Sequence, residues 1–294
     1  MSHDRMLLGD VVEKFYLTPG MIRVVFGGED LKSFESAGIG DEYLRLHFPV
    51  DGELVLPTPN PEDPNGRWIY PDNASPAVAY TVRKFENSLM TIDFVIHQGG
   101  VACEWARNCV PGDQLGIGGS RGLYEPPVDA QWQFFLADAT GLPALGRLIE
   151  LLPAGMRARA IIEVADASHE QIFESDADVE FVWLHGCGNG VGPSRLLEAL
   201  RSSPLPEGPG YVWVAGETKM QRNVRRYLRQ DLELPATAYK VIGYWTDNSE
   251  EYDSKWDALS PEVKARLEDI WAAGDGDEEA KRDLYEEELE KIGL

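Results

Sequence analysis

The sequence predicts an N-terminal antiparallel β-barrel followed by a parallel-sheet α/β unit, with an acidic helical extension at the C-terminus. Three observations predict it. Before about residue 127 the apolar segments are short, partly alternating and broken by Gly, Pro and Asp. After Pro126-Pro127 near-continuous apolar runs alternate with helical stretches, the texture of a parallel sheet buried on both faces. From about residue 248 the chain is charged and helix-forming. At 294 residues it exceeds the usual size of one core. The expected division is 1–127, 128–247 and 248–294.

In the first part, residues 43–48 and 91–97 are the clearest strands. Between them residues 57–76, rich in Pro and Gly and without period, form an excursion or lid expected to border a substrate. In the second part the expected strands are 132–137, 159–164, 181–184, 211–215 and 239–243, and the helices are 143–152, 193–201 and 220–232. In the last helix Met220, Val224, Tyr227 and Leu228 make one apolar stripe, while Arg222, Arg225, Arg226 and Arg229 face elsewhere. In the tail Ser260-Pro261-Glu262 starts a helix and 272–276 breaks it.

Composition narrows the function. A net charge of −23 repels nucleic-acid phosphates and anionic lipid, so neither is an expected partner. Residues 247–294 carry 17 acids against 6 bases, so −11 of that charge lies in the tail. Met1-Ser2-His3-Asp4-Arg5 holds no basic stretch followed by an apolar core, and no later run approaches the roughly 18 apolar residues of a membrane span. A cytoplasmic monomer is expected. Cys103, Cys109 and Cys187 are odd in number and lack C-x-x-C spacing, which suits buried free thiols and argues against a bound metal. No Ser/His/Asp order, H-E-x-x-H or Walker loop is present.

The informative residues are Tyr80-Thr81-Val82-Arg83, then the stretch from Asp93 to His97, then Gly100-Val101-Ala102-Cys103-Glu104-Trp105-Ala106. Further fragments follow: Pro111-Gly112-Asp113, Gly118-Gly119-Ser120-Arg121-Gly122, Asp138-Ala139-Thr140-Gly141-Leu142-Pro143, Gly216-Glu217, Arg225-Arg226-Tyr227-Leu228 and Gly243-Tyr244-Trp245. Each alone is weak. Their order and spacing over roughly residues 8 to 246 resemble the siderophore-interacting, FAD-binding family of ferric-chelate reductases, itself related to ferredoxin reductases.

The resemblance implies that the barrel binds FAD and the α/β unit a nicotinamide. Tyr80 would lie against the isoalloxazine and Thr81 would hydrogen-bond its reacting edge, making them the catalytic pair. Arg83 would meet the pyrophosphate, in place of the family's arginine at the position occupied by Val78. His97 would touch the cofactor, and the backbone at Gly100, Val101 and Ala102 would face its diphosphate. Asp138 and Thr140, after the first parallel strand, would line the nicotinamide, with Gly216 and Glu217 as similar candidates. Trp245, beside Tyr244, would approach the flavin. Structural readings stand beside these: Tyr80 and Thr81 as ordinary strand residues, His97 as a satisfied polar residue, Asp138 as a capping turn. Trp105 reads as core.

Thr246 stands where the family often has an arginine, so charge for an anionic siderophore is assigned to Arg45, Arg67 or Arg121. The glycine-rich stretch from Gly186 to Gly192 lacks the G-x-G-x-x-G register and reads as a flexible loop. The arginine face of 220–232 reads as solvated, or as a site for an NADPH 2′-phosphate or an acidic carrier protein. The expected activity is electron transfer from NADH, NADPH or ferredoxin through FAD to the iron of a ferric siderophore. A general NAD(P)H:flavin or ferredoxin-type reductase, and a non-catalytic siderophore-binding protein, are the alternatives.

Overall fold

Alternation in the first part of the chain produces one antiparallel sheet. The computed structural model describes residues 6–62, 68–97, 99–272 and 278–293. Its strands are β1 (Leu7–Thr18), β2 (Met21–Gly27), β3 (Tyr43–His47), β4 (Thr58–Pro59), β5 (Trp68–Ile69), β6 (Ala77–Thr81), β7 (Lys84–Glu86), β8 (Leu89–Val95) and β9 (Gln114–Arg121). Seven of them form a sheet in the order β6-β3-β9-β1-β2-β8-β7, and β4 pairs with β5 within the 57–76 excursion. Ile22, Val24 and Phe26 alternate into the core with Leu44, Leu46, Ile92 and Phe94, all fully buried. Past β6 the chain bends so that the Arg83 amide donates to Thr91 O of β8 (2.9 Å), which curls the sheet toward a barrel. Helix α1 (Val101–Asn108) plugs one end with Ala102, Cys103 and Ala106. Trp105 joins the core as expected, within about one ring's width of Phe26, Phe48 and Phe94.

The apolar runs of the second part form β10 (Trp132–Ala137), β11 (Arg157–Val164), β12 (Asp178–His185), β13 (Gly210–Glu217) and β14 (Tyr239–Trp245). All pair parallel, in the order β12-β11-β10-β13-β14. Every residue of β10 is buried, because both faces are covered. Phe135 and Ala137 pack with α2 (Leu142–Glu150) and with Met21 of the barrel. Trp132, Phe134 and Leu136 pack with α3 (Leu196–Arg201) and α4 (Thr218–Arg226) on the other face. The helix expected at 193–201 begins later because Glu163 accepts hydrogen bonds from Ser194 Oγ and the Arg195 amide, holding that segment out of helical geometry. The helix expected at 220–232 widens into a π-helical turn from Tyr227 to Asp231.

Barrel and parallel sheet are joined by buried polar contacts that no local pattern announces. Arg147 of α2 donates to Val82 O (2.5 Å), Ser36 Oγ (3.0 Å) and Glu42 Oε2 (3.0 Å). Asp41 accepts Trp213 Nε1 from the sheet (3.2 Å) and the amides of Leu123 and Tyr124 (both 2.9 Å). Burial opposes the charge on Glu42, yet hydrogen bonds from Ser120, Ser36 and the Ala37 amide, with Arg147 beside it, hold its carboxyl below the ordinary value.

The tail forms α5 (Ser249–Asp257), α6 (Pro261–Ala272) and α7 (Glu278–Lys291). Ser260 caps α6 through Val263 N (3.4 Å), with Pro261 at the first helical position. The expected break at 272–276 falls largely outside the described residues. Trp271 of α6 meets Tyr285 of α7 at 5.7 Å between ring centres. Among the described residues no helix is long and apolar enough to cross a membrane. The three cysteines are buried and unlinked.

Candidate functional site

The register of β6 against β3 decides what Tyr80 and Thr81 can reach. Leu44 pairs with Tyr80 and Tyr43 with Thr81, so the two neighbours project to opposite faces. Tyr80 turns toward the barrel core, its ring 4.5 Å from that of Phe94 and 6.4 Å from Phe48. It remains only partly buried, and burial, followed by the nearby Cys103 thiol, drives its phenol well above the usual value. Thr81 is buried on the other face, the side on which Tyr244 of β14 lies. Burial likewise raises the Tyr244 phenol strongly, so both phenols stay neutral at physiological pH.

Cys103 also ties down the turn that holds His97. Its Sγ donates to His97 O (3.1 Å) and accepts the His97 amide (3.4 Å), and Arg107 adds a bond to His97 O (3.0 Å). Cys103 thus fixes the backbone at His97 from within α1. The imidazole is exposed and lies over Gly100, where an added Cβ would sit 3.1 Å from its Cε1. Gly100 has φ 84° and ψ 129°, a conformation only glycine takes easily, and no side chain caps α1 there. The first amides of α1, at Val101, Ala102 and Cys103, therefore present an anion-ready end beside Tyr80.

Arg83 requires a correction. It is 7% exposed and forks onto Glu150 of α2 (2.7 and 2.5 Å), with Asp93 at 3.9 Å. A buried guanidinium already forked onto the solvent-facing Glu150 carboxylate is not available to a pyrophosphate, so Arg83 staples barrel to α/β unit. Val78, at the position of the family's arginine, stands exposed on the edge strand β6.

A second constellation lies at the carboxyl ends of the parallel strands. β11 and β12 continue to one side of β10, β13 and β14 to the other, so the order reverses between β10 and β13. Ligands of open α/β sheets bind outside such a switch point. Asp138 follows β10, and its Oδ1 accepts the Thr140 amide (2.8 Å) and hydroxyl (2.5 Å), the geometry of a capping turn. Its Oδ2 accepts Trp245 Nε1 (2.7 Å). Trp245 ends β14, so its indole reaches across β13, a span of roughly two strand spacings, about 9–10 Å. Gly216 permits this approach, since a Cβ there would lie 2.7 Å from Asp138 Oδ2. Burial raises the pKa of Asp138, against the hydrogen bonds from Thr140 and Trp245. Glu217 serves as the cap of α4, accepting the Met220 amide (2.7 Å). Thr246 meets Thr218 through their hydroxyls (3.1 Å).

Sequence reasoning named Tyr80, Thr81, His97 and Gly100 to Ala102 for the flavin and Asp138, Thr140 and Gly216 for the nicotinamide; Trp245, expected beside the flavin, is instead bonded to Asp138. It missed Cys103 as the clamp on the His97 turn, although Cys103 sits inside the quoted motif. It also missed Asp41, Glu42 and Arg147, for which no sequence signal exists. Arg45 and Arg121 are exposed and share the Thr81 face of the barrel, since Arg45 lies two residues from Tyr43 and Arg121 pairs with it. Arg67 lies outside the described residues. The Gly186 to Gly192 stretch folds on itself through Gly188 N to Gly192 O (3.0 Å) and Val191 N to Gly188 O (2.9 Å).

These residues suit a flavin. A half-buried aromatic ring, a hydroxyl at the seam and an uncapped helix end provide a platform, a hydrogen-bonding group and an anion cradle.

Comparison with known proteins agrees. Residues 10–124 match the siderophore-interacting FAD-binding domain, and residues 130–248 match the siderophore-interacting protein family. The NADPH-dependent ferric-chelate reductase of Escherichia coli K12 is 30% identical over 235 residues, 78% of this chain and 88% of that one. The ferric vibriobactin reductase of Vibrio cholerae is 28% identical over 250 residues, 82% of this chain and 90% of that one. A crystallised siderophore utilization protein from T. fusca superposes with a TM-score of 0.75 at 34% identity, covering 84% of this chain and 95% of its own.

Proposed function

Because the chain belongs to the siderophore-interacting protein family, we propose that it is a cytoplasmic ferric-siderophore reductase, with FAD as its resident cofactor and NADPH as its donor. In this reading residues 1–127 form the FAD-binding unit, 128–247 the nicotinamide-binding unit and 248–294 an extension. The observation that carries it is the half-buried Tyr80 ring on the barrel-core face of β6 and the glycine-led start of α1, with the buried Thr81 on the opposite face of the same strand toward the parallel sheet.

FAD supplies the ability to take two electrons together and give them up singly, as a ferric chelate requires. The protein's part is position and exclusion of water. Tyr80, backed by Phe94, offers a flat apolar wall. Gly100, Val101 and Ala102 offer amides to the diphosphate, and His97 offers a ring nitrogen at the same turn. The Thr81 hydroxyl can donate or accept a hydrogen bond at the seam while staying neutral. Asp138 fixes the Trp245 indole across the nicotinamide end, with Thr140 and Gly216 shaping that crevice. NADH and ferredoxin are the other donors to be compared with NADPH in turnover assays.

Arg45 and Arg121 supply positive charge on the face the chelate approaches. With both changed to Ala, KM for an anionic ferric catecholate is expected to rise about tenfold at low salt, since each exposed charge contributes roughly 1 kcal/mol or less. For a cationic ferric hydroxamate KM should hold or fall. Steady-state turnover with both chelates checks this, and an equal loss for the two would remove these arginines from substrate recognition.

A further inference from the structure

The arginine face of α4 and the acidic tail meet each other. Arg222, Arg225, Arg226 and Arg229 stand at i, i+3, i+4 and i+7 along α4 and the turn that follows, one stripe of a helix. Asp283, Glu286 and Glu290 stand at i, i+3 and i+7 on α7. The two stripes interlock. Arg225 Nη2 lies 2.7 Å from Asp283 Oδ1 and 2.5 Å from Glu286 Oε2, Arg229 Nε lies 2.9 Å from Asp283 Oδ2, and Arg226 Nη2 lies 2.9 Å from Glu290 Oε1.

Ion pairs run the length of this contact, with Arg225 deeply buried at its centre and the Arg226–Glu290 pair at its rim. Leu289 is deeply buried on α7, but Leu284 is exposed, and both side chains of the Arg226–Glu290 pair are over a third exposed. Such pairs weaken as salt shortens the screening length. The basic stripe lies inside the family-matched segment 130–248 and its acidic cover lies beyond it, so the cover is an addition to a frame that is matched without it. The stripe is also well placed. α4 starts at the rim of the switch-point crevice, where Thr218 Oγ1 donates to Trp245 O (2.9 Å).

We propose that the arginine stripe of α4 is the docking surface for a small acidic electron-carrier protein, and that α7 occupies it as a tethered mimic which the carrier displaces. The carrier's role as electron donor rests on the reductase reading; the surface and its displaceable cover do not.

The test uses the full-length chain. In Asp283→Asn/Glu286→Gln/Glu290→Gln the cover loses the three carboxylates that pair with Arg225, Arg226 and Arg229 while the arginines themselves stay in place. A labelled synthetic peptide of residues 278–291, with its natural acids, should bind this variant at least tenfold more tightly than it binds the wild type. Arg226→Ala/Arg229→Ala added to the variant should abolish that gain. Equal binding to variant and wild type, or binding to neither, overturns the proposal. On the wild type, hydrogen exchange of α7 should quicken as salt rises from about 0.05 to about 0.5 M while β10 and β13 hold. If α7 stays as protected as those strands throughout, it is a fixed part of the fold and the proposal fails. Finally, reduced [2Fe–2S] ferredoxin should reduce bound flavin at least tenfold faster in the variant, and equal rates overturn the docking role. A protein that binds no flavin would defeat the reductase reading alone, since the peptide and exchange measurements need none.

Discussion

Arg147→Met is expected to cost the protein about 3–5 kcal/mol, the usual penalty for removing one partner of a buried ion pair. The substitution strands Glu42, which is fully buried, and takes a donor from Val82 O and Ser36 Oγ. In urea the midpoint should fall with the slope preserved, seen alike by probes in the barrel and the parallel sheet. Glu42→Gln/Arg147→Met should recover part of the loss, because no stranded charge then remains. The pair also predicts an acid limb. Glu42 titrates below its ordinary 4.5 in the folded protein, so its contribution is whole above that pH and is lost as pH falls through the lower folded value. Arg147→Met should flatten that limb. A loss below about 1 kcal/mol would mean that the Arg147–Glu42 pair adds little to the joint between barrel and sheet.

The second large effect concerns the flavin. Tyr80→Ala removes the aromatic wall beside the α1 end, and FAD affinity is expected to fall by roughly 30- to 100-fold, or about 2–3 kcal/mol. The same change opens a cavity against Phe94 and Phe48, so some loss of stability accompanies it. Tyr80→Phe separates the two effects. It keeps the ring and its packing and should hold FAD within about threefold, since the buried phenol is neutral and adds little to stacking. Equilibrium titration with FAD, followed by quenching of flavin fluorescence, gives both constants. If Tyr80→Ala binds FAD as tightly as Tyr80→Phe does, the ring is core packing and no more.

What could be read from the sequence follows from what is local. β10 was legible to the residue because a strand buried on both faces is a near-continuous apolar run bounded by polar residues, and 132–137 is such a run, interrupted only by Gln133. The barrel strands were legible by alternation, and the family by the order of short fragments. The fork of Arg83 onto Glu150 was not legible, since the partners are 67 residues apart and nothing near Arg83 distinguishes a guanidinium bound for phosphate from one bound for carboxylate. The same separation hid Arg147 from Glu42, 105 residues away, and Arg225 from Glu286, 61 away. The stripe of arginines and the acid-rich tail were each visible as charge patterns. Only the fold brought them face to face.

The whole account turns on the seam between barrel and parallel sheet accepting a flavin, and a titration of the purified wild-type chain with FAD, followed by absorption, addresses that directly. One equivalent should bind with a shifted oxidised-flavin band that NADPH bleaches and a ferric chelate restores. A chain that keeps its native fold and takes up no FAD, or whose bound flavin NADPH cannot reduce, contradicts it.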